Sequence, residues 1–200
     1  MNETVVINAY IVISIIIAAT DILLAVKSFK KNKTTGRFLG FACMGAAIVD
    51  ISYLISIISD SYMCMAAMSS IYFISIDFML VSLLIFTVYF TKGKFSGYGK
   101  WMVAFCFLYC IYELIVFAVN PFMEIAIEYK PRDTLIAKYS YQMKPLYELH
   151  LIFSYVMVLL VVGLLIRKIC KIPQEYRWQY LSVIIAVSYT HLTLPTNSRV

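Results

Sequence analysis

Val5-Val-Ile-Asn-Ala-Tyr-Ile-Val-Ile-Ser-Ile-Ile-Ile-Ala-Ala-Thr-Asp-Ile-Leu-Leu-Ala-Val26 runs straight into a basic patch formed by Lys27, Lys30, Lys31, Lys33 and Arg37. Only Asn8, Ser14, Thr20 and Asp21 interrupt the apolar run. A helix needs about 20 mostly apolar residues, at about 1.5 Å each, to cross about 30 Å of hydrocarbon. A dense Lys/Arg cluster in a short loop beside such a helix is held on the cytoplasmic side. The stretch therefore predicts a first span with the N-terminus outside, and every later span alternates from that choice. The first residues lack a basic leader and a small-residue cleavage site, so this span reads as a retained anchor, not a signal peptide.

The remainder of the chain agrees with a lipid environment. Of its 200 residues 62% are hydrophobic and 14% charged, against the 45–50% apolar and about 25% charged usual for soluble domains. The mean hydropathy is +0.83. A net charge of +6 would suggest nucleic acid if it lay on one surface. Most of the bases instead sit in short loops between apolar runs, so they orient the chain, and no nucleic-acid partner is expected. Cys43, Cys64, Cys106, Cys110 and Cys170 form neither a disulfide framework nor a CxxC metal pattern.

Further spans are expected at about Phe38–Ile58, Cys64–Phe90, Trp101 to Asn120-Pro121, and Leu146–Ile166. Gly36 and Gly40 have the spacing that lets helices approach closely. Proline is expected to stop the fourth helix at Asn120-Pro121. The longest polar segment, Asn120 to Pro145, falls outside by alternation, although it carries Lys130, Arg132, Lys138 and Lys144 beside Glu124, Glu128 and Asp133. The expected class is an all-α, polytopic transmembrane helix bundle with five complete spans and a truncated sixth. That sixth starts at Trp178 and stops being apolar at Val187. Ser188 to Val200, with His191 and Pro195, resembles translated adaptor sequence, which divides the chain into an incomplete membrane domain, 1–187, and a non-native tail, 188–200.

No Lys or Arg lies inside a proposed span, whereas Asp21, Asp50, Asp77, Glu113, Glu148 and His150 do. An Asp at the centre of a spanning helix costs about 2.5–3.5 kcal/mol or more, which makes such groups functional candidates. Tyr53 is a candidate partner for Asp50, and Ser70 for Asp77. The fourth and fifth spans are consecutive and antiparallel, so Glu113 and His150 can sit at similar depth. With Asn120, Glu148 and the tyrosines Tyr139, Tyr141 and Tyr147 they can line an outward-open polar pocket, or Glu113 and His150 can simply pair two helices. The candidate ligand-binding residues are therefore Glu113, Asn120, Glu148 and His150, with Asp50 and Asp77 as intramembrane polar groups. Phosphate-loop, HExxH and GxSxG motifs are missing from the sequence. With His150 and His191 the only histidines, no metal, cofactor or catalytic residue is expected.

These residues together resemble the N-terminal seven-helix membrane region of bacterial histidine kinases and of proteins with a diguanylate cyclase (GGDEF) domain. The resemblance covers about Met1 to Val187. It rests on the basic turn into Gly36-Arg37-Phe38-Leu39-Gly40-Phe41, on Asn120-Pro121-Phe122, on Tyr139-Ser140-Tyr141-Gln142-Met143 and on Arg167-Lys168. Many members carry a histidine soon after the Asn-Pro pair; here Met123 and Glu124 follow. The resemblance implies a sensory input region in the cell membrane, responding to a small molecule or to the state of the lipid bilayer. It would relay that signal to a cytoplasmic output domain outside these residues, most readily a diguanylate cyclase and otherwise a histidine kinase, with a homodimer kept open. The competing expectation is a small secondary transporter using Asp50 and Asp77 as proton or cation sites.

Overall fold

Long apolar runs punctuated by polar turns fold as five helices. The computed structural model describes residues 3–31, 33–94, 97–131, 138–178 and 181. Within them α1 spans Glu3–Lys30, α2 Thr34–Ile58, α3 Tyr62–Lys92, α4 Gly97–Met123 and α5 Pro145–Ile169. A short 3-10 turn, Gln174–Tyr176, follows. All five are long and apolar enough to cross a membrane, so the chain is an all-α, polytopic bundle. Arg132, Asp133 and everything from residue 182 on, including most of the expected sixth span and the whole tail 188–200, lie outside the described residues.

The helix ends follow from local chemistry. Ser61 caps α3, its side chain accepting from the Cys64 amide. Gly93 closes the same helix at φ +74°, the left-handed geometry that glycine adopts without penalty. Pro145 opens α5 from an extended Lys144, a position where its missing N–H costs nothing. Pro121, by contrast, does not stop α4. The helix continues to Met123 and ends where Glu124 takes φ +48° and donates its amide to the Asn120 carbonyl. Near the end of a helix few intrahelical bonds depend on the proline, and the left-handed residue is the terminator.

One end of the bundle gathers the bases. Lys27 and Lys30 lie in the last turn of α1, Lys92 in that of α3, and Arg167 and Lys168 in that of α5. The other end carries what composition alone did not reveal: β1 (Ile127–Pro131) pairs antiparallel with β2 (Tyr139–Met143), Tyr129 opposite Tyr141. An ion pair from Lys138 to Asp60 and a hydrogen bond from Tyr62 to Glu124 fasten this hairpin region to the α2–α3 turn.

The centre of the molecule is α3, which packs on α2, α4 and α5 and is buried along most of its length. α1 lies at the edge, with Ile13, Ile15, Ile16, Leu23 and Leu24 facing outward. In lipid there is no hydrophobic gain in bringing helices together, so close backbone approach and hydrogen bonds must do it. α2 accordingly buries Ala42, Gly45, Val49, Ser52 and Ser56 on one face. The expected close approach at Gly36 and Gly40 occurs at the α1–α2 turn. A β-carbon at Gly40 would sit 2.8 Å from the Phe29 ring, and one at Gly36 would sit 2.7 Å from the Ser28 carbonyl. Gly45 is the close approach of α2 to α3, where a β-carbon would meet the Met79 β-carbon at 2.9 Å and its α-carbon at 3.1 Å.

Gly45→Ala therefore forces α2 away from α3 and is expected to destabilise the bundle by about 1–3 kcal/mol. At Gly163 a β-carbon meets nothing within 4 Å, and Gly163→Ala should be neutral or slightly stabilising. Thermal unfolding of both variants in the same detergent checks the contrast.

Candidate functional site

The acids inside the spans form two separate clusters. The first joins α1 to α2, where the carboxyl groups of Asp21 and Asp50 are neighbours. Tyr53 lies near Tyr10 of α1 and packs on Tyr72 at 5.6 Å. Asp21 of the neighbouring helix is thus a neighbour of Asp50 that the sequence did not suggest.

The second cluster joins the three central helices. Asp77 from the middle of α3, Glu113 from α4 and His150 from α5 converge, each with a side chain no more than 3% exposed. His150 Nδ1 lies 3.3 Å from Glu113 Oε2 and 3.5 Å from Asp77 Oδ1. Charge-assisted hydrogen bonds are shorter, about 2.7–2.9 Å. At these longer distances Nδ1 and all four carboxylate oxygens are buried without a hydrogen-bond partner. Ser154, one turn beyond His150, has its hydroxyl buried and unpartnered as well. The Tyr109 hydroxyl points toward Glu113 from one turn away and is likewise buried and unpaired. Ser70, the suggested partner of Asp77, donates instead to the Ala66 carbonyl of its own helix.

Aromatic rings hold the imidazole in place. Phe73 and Phe117 stack on each other at 4.9 Å and both meet the His150 ring edge-on, at 5.4 and 5.2 Å. Tyr109 stacks on Phe153 at 3.9 Å, and Cys106 packs its thiol on Met157 at 3.5 Å. All five cysteines are free thiols.

The outward-open pocket expected from Glu113, Asn120, Glu148 and His150 does not form. Glu113 and His150 do meet, but in a sealed interior. Glu148 is exposed in the first turn of α5, where an acid complements the positive helix terminus. Asn120 is completely buried, and its amide is spent on the hairpin. Its Oδ1 accepts from the amides of Ala126 at 2.8 Å and Ile127 at 3.0 Å. Its Nδ2 donates to the Ile127 carbonyl at 3.2 Å and the Tyr129 hydroxyl at 3.3 Å. Burial pushes the Tyr129 phenol above its usual range, so it remains a neutral partner for Asn120. With both amide atoms doubly bonded to protein, Asn120 has no capacity left for a ligand. Tyr141 pairs with Ser69 at 3.3 Å and packs edge-on against Tyr129. Tyr147 is buried against Phe73.

Compared with known families, residues 9–193 match the model of the N-terminal 7TM region of histidine kinase. No curated protein and no solved structure matches the chain.

Because half of Asn120's bonds run through its amide nitrogen, Asn120→Asp should destabilise nearly as much as Asn120→Ala. Each buried group left unpaired costs about 1–3 kcal/mol. Denaturation in detergent, together with the rate of proteolysis within the hairpin, tests this; an Asn120→Asp variant as stable as the parent would disprove the anchoring role.

Proposed function

The chain belongs to the family of N-terminal seven-transmembrane regions of histidine kinases, and from that premise we propose that it receives a signal at the hairpin end and passes it inward to an output enzyme. It is a membrane sensory input region of the histidine-kinase type. The finer reading is that the basic end faces the cytoplasm across the inner membrane, the N-terminus lies outside, and the output is a diguanylate cyclase or a histidine kinase. The resemblance of the sequence favours the first of these outputs, and the family match supports the second. Either one would read the same input, a displacement of α3 and α5 where they leave the membrane.

The observation that carries this reading is the buried cluster of Asp77, Glu113 and His150. Three unsatisfied ionisable groups, one from each central helix, cost more in a packed bundle than apolar residues would. They give the bundle an element whose arrangement a ligand or a change at the hairpin can bias. The orientation is supported by how the charges are disposed. Twelve bases from Lys27 to Arg177 lie in the loops and turns of one end. At the other, Lys130 and Lys144 face Glu128 at 3.6 Å, and Lys138 faces Asp60. Paired bases weigh little against the positive-inside rule. The transporter reading loses support because Asp50 and Asp77 lie in different clusters.

Two measurements test the proposal. In a cysteine-free background, Gln142→Cys and a restored Cys170 should react with an impermeant maleimide from opposite faces of the membrane; labelling from the same face would overturn the orientation. In the chain joined at its basic end to a kinase domain, Asp77→Asn or Glu113→Gln should change the autophosphorylation rate about fivefold or more. Equal rates at equal amounts of folded protein would remove the cluster from the relay.

A further inference from the structure

We propose that Asp77, Glu113 and His150 form a binding site for one divalent transition-metal ion of the zinc or manganese class, placed between α3, α4 and α5. This rests on the sensory reading only for its regulatory meaning; the site itself is argued from its chemistry. The first argument is an accounting of partners. Nδ1 of His150 and both oxygens of each carboxylate are buried without a hydrogen bond, although Nδ1 lies within ion-pair distance of both acids. Groups that attracted one another directly would close to about 2.7–2.9 Å. Instead one donor atom from each residue lies within 4.8 Å of the other two. Their spacing suits a common centre: bonds of about 2.0–2.1 Å to a tetrahedral zinc set neighbouring ligand atoms about 3.3–3.4 Å apart. The two distances from Nδ1 are 3.3 and 3.5 Å.

The second argument is charge. Two carboxylates buried in a membrane bundle are costly while they stay ionised. A dication with a neutral imidazole and two carboxylates sums to zero, so the ion removes the charge that the fold otherwise carries. The ligand set also narrows the ion. Imidazole suits zinc and iron, while carboxylates suit manganese as well; calcium and magnesium prefer oxygen alone. Three protein ligands leave a further coordination position. The unpartnered hydroxyls of Ser154 and Tyr109 lie beside the cluster and can serve that position directly or through water. The sequence supplies too few histidines for an imidazole site, and the carboxylates make up the difference. Occupancy would tie the three central helices at one point, which makes the ion itself a candidate signal or a structural clamp on the relay.

The test uses the whole chain in nanodiscs, stripped with chelator and then equilibrated with Zn²⁺ or Mn²⁺. Mass spectrometry should find about one ion per chain after desalting, with a raised unfolding temperature. Asp77→Asn, Glu113→Gln and the double variant keep the side-chain volumes and should retain under a tenth of the metal and show no thermal shift. In chelator, Glu113→Gln should be at least as stable as the parent, because it replaces a buried acid that makes no hydrogen bond; a purely structural ion pair predicts the opposite. Tetrahedral Co²⁺ in the parent should show its visible absorption bands, and these should vanish in the double variant. Less than a tenth of an ion per parent chain overturns the proposal, as does binding that the double variant retains. Neither result touches the autophosphorylation test, so the site and the relay can fail independently.

Discussion

A carboxylate inside a lipid-embedded bundle has to find its partners in the protein, and Asp77 is the carboxylate on which this fold depends. It sits in the middle of a 31-residue helix, about 46 Å long, with no surface within reach. Its neighbours must therefore bring polar groups to that depth, and α4 and α5 bring Glu113 and His150. The same requirement shapes the rest of α3. Ser69, Ser70, Ser75, Ser82, Thr87 and Thr91 are all buried along it. Ser70, Thr87 and Thr91 return their hydroxyls to carbonyls one turn back. Such self-satisfied small polar residues let neighbouring helices come close without leaving unpaired groups in hydrocarbon. Among the described residues, the buried side-chain polar atoms without a hydrogen bond are those of the ionisable cluster and the Tyr109 and Ser154 hydroxyls.

The five spans were legible because length and apolarity alone decide whether a helix can cross lipid. What those measures do not encode is which helix lies at the centre. The helix most exposed to lipid is α1, although its apolar stretch is no longer or more continuous than those of α4 and α5. The buried centre is the helix richest in Ser, Thr and Asp. The meeting of Glu113 and His150 could be read from two consecutive antiparallel spans, whose depths can be counted from a shared turn. The same count from the α3–α4 turn puts Asp77 level with Glu113, but depth alone does not say which face of α3 looks toward α4 and α5. Asp21 and Asp50 were legible only as isolated acids, since nothing in either run sets the rotation of one helix on the other.

The hairpin was readable in principle. Ile127-Glu-Tyr-Lys and Tyr139-Ser-Tyr-Gln-Met alternate with the period of a strand. In a chain dominated by helical runs the segment passed as a polar loop, and Asn120 passed as a ligand residue because it stood at the boundary. Its real task is local. The α4 C-terminus has unsatisfied carbonyls and a proline, and the strand that follows needs a fixed start. One buried amide with four hydrogen bonds meets that need, while Glu124 makes the turn. Proline marked the region correctly and misplaced its stop, because the left-handed residue, not the missing amide, ends the helix.

The hairpin and the cluster are not independent parts. Asn120, which fixes the strands, is one turn from Phe117, and Phe117 presses on both Phe73 and the His150 ring. Four residues before Phe117 lies Glu113. A rotation of the last turns of α4, driven from the hairpin, would therefore move the ring that positions the imidazole and the carboxylate that faces it in the same sense. On the relay proposed above, α3 and α5 would carry that change onward, since Asp77 and His150 belong to helices that run to the basic end. Packed interiors respond to such a push by switching between arrangements, not by bending gradually. A cluster held together by its aromatic frame but lacking its own hydrogen bonds is the part of this bundle where two arrangements would differ least in energy.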